Sequence, residues 1–118
     1  MSKRNQIDLL NDIKEAMKRI IYYTNDIEIE EFYNDIRTQD AVVRNIEIIG
    51  EAVKLLEEKT INLDKTIEWS AMAKTRDRLI HHYFGVDYDI IWVICKENIP
   101  KIAEKVEKII EKLEGENK

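Results

Sequence analysis

Three glycines and one proline in 118 residues leave this chain very few places to turn. Glycine and proline are the strongest local breaks in regular structure. Between those places apolar residues recur at steps of three and four, the period of one helix face. The clearest run is Val42, Ile46, Ile49, Val53 and Leu56, within a helix predicted from about Arg37 to Glu58. Leu10, Ile13, Met17, Ile20 and Ile21 mark an earlier helix over residues 5–24, closed by Asn25 and Asp26. "IEIEEFYND" reads as a short helix or turn between the two, and "KTINLDKTIEW" as a polar connection in which "TIN" hints at an extended piece.

A third main helix is predicted from Trp69 or Ser70, ending at Gly85, a residue that tolerates the left-handed cap conformation. Asp87 is the expected N-cap of the next helix, "YDIIWVICKEN". Pro100 should kink or restart the chain before "KIAEKVEKIIEKLE", whose stripe is Ile102, Val106, Ile109 and Leu113. No segment alternates as a strand does. The expectation is one all-α domain over residues 1–118, an antiparallel bundle of four main helices plus a short one, with the last helix bent.

Charge limits the function classes. The formal net charge is −5, so the chain as a whole is not built to coat nucleic acid, and RNA binding would need a local basic site, assembled within or across subunits. A single cysteine, Cys95, rules out an internal disulfide and reads as a small buried hydrophobe. Two histidines, adjacent in sequence, do not make a structural zinc site. No apolar run reaches the length of a membrane span, and "MSKRNQIDLLNDIKE" lacks a signal-peptide core, so a cytoplasmic protein is expected.

The stretch "RDRLIHHYFGVD" concentrates titratable groups as no other stretch does. On a helix advancing roughly 100° per residue, Trp69, Met72, Ala73, Ile80 and Tyr83 share a face, and Arg76 lies in its middle. Such an arginine either lays its stem on the core and its head at the rim, or aims a planar fork at a carboxylate or phosphate. Arg44, Glu47 and Glu51 form a polar stripe beside the second helix's seam, while Lys54 and Glu58 read as solvated. Gly50 stands inside that helix at a cost of about 1 kcal/mol relative to alanine, which implies that something approaches it closely. Asp77 precedes His81 by four residues and can meet it on one face. Arg76 and His81 are roughly 140° apart and can address one group only if the arginine curls round or the helix ends near His81. Arginine and histidine without metal ligands suit cleavage of RNA, where histidine moves protons and arginine neutralises charge on phosphoryl oxygens. A symmetric dimer would bring two such histidines together.

These residues, Arg76, His81 and Tyr83, form R-x-x-x-x-H-x-Y, which resembles the signature of HEPN-domain proteins, specifically the HepT-like toxins of the HepT/MntA toxin–antitoxin systems. "AVVRNIEIIGEAVKLL", "IEWSAMAKTRDRLIHHYFGVDYDIIW" and "NIPKIAEKVEKII" extend the likeness over residues about 40 to 110. The resemblance implies an all-α HEPN bundle that forms a homodimer with facing motifs. It implies a metal-independent endoribonuclease without a cofactor, with Arg76 and His81 catalytic and Asp77 supporting. It also implies a partner, an MntA-like minimal nucleotidyltransferase antitoxin that adds AMP to Tyr83 and so blocks the RNA site. The alternative is a non-catalytic nucleotide- or partner-binding helical subunit of a nucleotidyltransferase. His82 has only a secondary place in either reading.

Overall fold

The computed structural model describes residues 3–81 and 87–116, and for Lys3, Arg4, Ile80 and His81 the backbone alone. Every regular element among the described residues is helical. In chain order they are α1 (Lys3–Thr24), α2 (Ile29–Tyr33), α3 (Ile36–Lys54), α4 (Glu58–Ile61), α5 (Trp69–His81), α6 (Tyr88–Val93), a π-helical turn (Ile94–Asn98) and α7 (Ile99–Glu116). The expected all-α bundle is present.

The three-four apolar stripes explain the packing. Leu10, Ile13, Met17 and Ile20 of α1 are fully buried, against Val42, Ile46, Ile49 and Val53 of α3 and Val106, Ile109 and Leu113 of α7. Side chains at the ends fix the antiparallel sense. Gln6 at the start of α1 accepts from the Glu57 amide beyond the end of α3, at 2.9 Å. Lys96 donates to the Thr24 carbonyl at the end of α1, at 3.0 Å. α5 packs chiefly on α3, and of its described side chains only Trp69 is buried. The helix therefore lies at the edge of the bundle with much of its surface open.

Cap chemistry sets the helix starts. Asp35 accepts from the Thr38 amide at 3.1 Å and opens α3. Asp87 accepts from the Asp89 and Ile90 amides at 3.0 and 3.4 Å, the N-cap its sequence position predicts. Asp26, after α1, takes a φ of 60°, a left-handed conformation that a short polar side chain tolerates.

Two expectations are corrected. The second main helix stops at Lys54 rather than Glu58, and "KTINLDKTIEW" contains a helical turn, α4, where "TIN" suggested extended chain. The cause is remote in sequence: Gln6 Oε1 takes both the Glu57 amide and the Thr60 hydroxyl, the latter at 2.7 Å, and so peels this segment off the axis of α3. The bundle thus carries the short helices α2 and α4 beside its main ones. Near Pro100 the ladder departs from α geometry in the turn just before the residue. The Ile99 amide bonds to the Ile94 carbonyl, five residues back, so the turn ahead of the proline widens while the helical run continues from Tyr88 to Glu116. Proline supplies no N–H to the carbonyl four residues before it, and a wider turn is one way a helix absorbs that loss. The predicted stop at Gly85 lies outside the described residues.

Candidate functional site

α3 and α5 meet at Gly50. A Cβ built on this glycine would stand 2.1 Å from Arg76 Cβ and 2.6 Å from Arg76 Cγ. The helix therefore gives up a side chain so that the stem of Arg76 can occupy the space. This answers what approaches Gly50: the arginine at the centre of the motif helix. The stem packs against α3, and the side chain keeps 22% of its area exposed, which places its head at the rim.

Carboxylates hold that head. Arg76 Nη1 donates to Asp77 Oδ1 at 3.0 Å, and Nη2 donates to Glu51 Oε1 at 3.3 Å. Lys54 Nζ also donates to Asp77 Oδ1. Arg76 Nε is buried and has no acceptor among the described residues. Two cations and two anions thus form one chain of contacts across the α3–α5 seam. Lys54 first, then Arg76, hold the Asp77 carboxyl below its ordinary value of 3.8. The bond to Asp77 raises Arg76 despite partial desolvation, so the guanidinium keeps its charge. These groups are exposed enough that the network orients side chains more than it stabilises the fold.

The residues singled out in the sequence fare differently. Arg76 and Asp77 come together, and Glu51 of the polar stripe joins them. Glu47 does not: it pairs with Arg44 at 3.7 Å along α3. Lys54, read from sequence as solvated, belongs to the site because it bridges to Asp77. The available signal was its position four residues after Gly50, on the same helix face. His81 is the last described residue of α5, with its backbone alone described, and Tyr83, His82 and Gly85 lie outside the described residues. Cys95 is buried, and burial pushes its thiol up to about 12, as suits a core residue rather than a nucleophile. No helix among the described residues is long and apolar enough to cross a membrane.

An arginine fixed by its stem, carrying permanent charge to a rim one and a half turns before a histidine, can bind and neutralise a phosphoryl oxygen. Comparison with known proteins bears on that chemistry. Residues 13–109 match a family model described as HepT-like, ribonuclease HepT-like. A Methanocaldococcus jannaschii protein named as a candidate RNase is 48% identical over 117 residues, 99% of this chain and 97% of the relative. A Thermococcus cleftensis protein named "Probable ribonuclease HepT" is 46% identical over 107 residues, 91% of this chain and 97% of the relative. A second M. jannaschii protein named as a candidate RNase is 44% identical over 117 residues, 99% of this chain and 97% of the relative. No solved structure gave a significant match.

Proposed function

This chain belongs to the HepT-like ribonuclease family, and from that membership we propose that it is a metal-independent endoribonuclease acting as the toxin of a toxin–antitoxin pair. The observation that carries the reading is the Gly50 notch. α3 forgoes a side chain at its contact with α5 to seat Arg76, and Arg76 opens the R-x-x-x-x-H-x-Y pattern that lies inside the family match.

In this reading Arg76 and His81 are the catalytic residues and Asp77 supports them. The ribose 2′-oxygen attacks the adjacent phosphorus as its proton passes to a base. The bond to the 5′-oxygen breaks, and that oxygen takes a proton as it leaves. The product carries a 2′,3′-cyclic phosphate. Arg76 faces the charge that grows on the non-bridging oxygens. His81 supplies the proton transfers, and a homodimer provides a second copy on the far side of the phosphate. The exposed face of α5 is a suitable surface for that pairing. An MntA-like nucleotidyltransferase antitoxin transfers AMP from ATP to Tyr83, releasing pyrophosphate. The added phosphate then competes with RNA for Arg76.

One observation favours a second reading. Both terminal nitrogens of Arg76 are already held by Asp77 and Glu51, so in this conformation neither is free of a carboxylate to neutralise charge on a scissile phosphate. There the chain is a non-catalytic binding subunit of a nucleotidyltransferase. Purified protein incubated with total RNA in chelator separates the two. The ribonuclease reading expects cleavage by the wild type and none by Arg76→Ala or His81→Ala variants of unchanged helicity. Intact folded protein that leaves RNA uncut favours the binding subunit.

A further inference from the structure

Beside the Arg76 cluster, at the other end of α5, lies an open cleft of about 670 Å³. Its walls come from the end of α3, from α4, from the loop over residues 65–68, and from the first two turns of α5. Three lysines line it, Lys54, Lys65 and Lys74, against one carboxylate, Glu68. A chain with a net charge of −5 has here the local basic site that its overall acidity makes necessary for binding RNA. The remaining wall is largely apolar, with Ile61 and Trp69 among it.

A second observation is independent of charge. Trp69 opens α5 and is 3% exposed, yet its indole Nε1 is buried with no hydrogen-bond partner among the described residues. Buried donors almost always find an acceptor, so one left alone behind the wall of a cleft is a donor that a guest can use once its entry shifts the wall to uncover it. Phosphate, ribose hydroxyl and base carbonyl oxygens are all acceptors. Lys54 links this cleft to the motif, since its ammonium is bonded to Asp77, which is bonded to Arg76. The loop ahead of α5 is tied in place: Asp64 accepts from the Thr66 amide at 2.9 Å, and Lys105 donates to the Thr66 hydroxyl at 2.8 Å.

We propose that this cleft is a subsite for single-stranded RNA, holding a nucleotide of the substrate strand away from the scissile phosphate while Arg76 engages the phosphate itself. The subsite rests on the ribonuclease reading for its purpose but not for its chemistry. Lys65 and Lys74 contact backbone phosphates, the apolar wall receives a base, and the Trp69 indole, covered in the free protein, donates to an oxygen of the guest once the wall shifts. Contacts of this kind are tolerant of sequence, so the cleft adds affinity and register rather than base specificity.

The test uses a labelled RNA oligonucleotide carrying 2′-O-methyl groups throughout, which removes the internal nucleophile and prevents cleavage. Its affinity for the full chain is measured by fluorescence anisotropy over a series of salt concentrations. In Lys65→Ala/Lys74→Ala protein the affinity falls roughly tenfold or more, and the slope of log affinity against log salt drops by about 1.4, two phosphate contacts at about 0.7 each on a single strand. The matching substitution of Lys18 and Lys101, which do not line the cleft, leaves both quantities unchanged. Wild-type binding that is indifferent to Lys65 and Lys74, or no salt-dependent binding at all, overturns the subsite. Cleavage of unmodified RNA is followed in parallel. Cleavage without dependence of binding on the two lysines removes the subsite alone, and lysine-dependent binding without cleavage removes the ribonuclease alone.

Discussion

Arg76 is held in place by a missing atom. Its stem fills the space that a side chain at position 50 would need, at separations of 2.1 and 2.6 Å that no Cβ could share. Gly50→Ala brings a helix-propensity gain of up to about 1 kcal/mol but an overpacking cost of about 1–3 kcal/mol. Because the contact is with Arg76 Cβ, which cannot swing away, α3 and α5 must part, and the variant is expected to be less stable by about 1–2 kcal/mol. Urea denaturation reads this directly. In an Arg76→Gly background the obstruction is gone, and the same Gly50→Ala change should be neutral or stabilising. An equal cost in both backgrounds would refute the notch. Asp77 gives a second expectation at this scale. Its native carboxyl is held below 3.8, first by Lys54 and then by Arg76, so the folded state binds that proton less readily than the unfolded chain. Its contribution is therefore fully present above the ordinary carboxyl range and is lost as pH falls through the lowered native value. Wild type should melt above Asp77→Asn at pH 7, and the gap should close in acid below the ordinary value of 3.8. A gap that persists at low pH would contradict the assignment.

The elements show why some of this could be read from the chain and some could not. α1, α3 and α7 announce themselves because each buries a stripe at helical spacing, a local property, while α5 half-buries Met72, Ala73 and Leu79 and fully buries only Trp69 among its described side chains. Asp87 was legible as a cap for the same reason, since its acceptor serves amides two and three residues on. Asp87→Ala should cost about 1 kcal/mol of stability in urea denaturation, and an unchanged midpoint would show that the cap is idle. The early end of α3 was not legible, because the acceptor that draws Glu57 and Thr60 away is Gln6, on another helix. The π-helical turn was not legible either, since proline states which bond is lost and not how the ladder closes around the loss. At the site, Gly50 signalled a close neighbour without naming it, and Arg76 signalled a buried stem without a place to put it. Each made sense of the other only once α3 and α5 were set side by side. Lys54 was passed over because a lysine on an exposed helix face is ordinarily solvated, and its partner Asp77 is 23 residues away.

At the scale of the whole molecule, an acidic bundle acts on an acidic polymer. A net charge of −5 repels RNA at long range, and Lys65 and Lys74 work against that field, while Arg76 and Lys54 are balanced by Glu51 and Asp77. A homodimer that joins two motif helices would double that local charge, so light scattering should give twice the chain mass. A monomer at high concentration would leave a composite site without support. The bond that breaks can be identified without a variant of the protein. A short RNA is cleaved by the wild-type protein in chelator and the cut position mapped, and the same RNA is then made with a single 2′-deoxy nucleotide at that position. If Arg76 and His81 direct the ribose oxygen onto its own phosphate, the native RNA yields a 2′,3′-cyclic end and the deoxy-substituted bond stays intact. Cleavage of the deoxy-substituted bond at an undiminished rate, or cleavage that requires added Mg²⁺, would contradict the account.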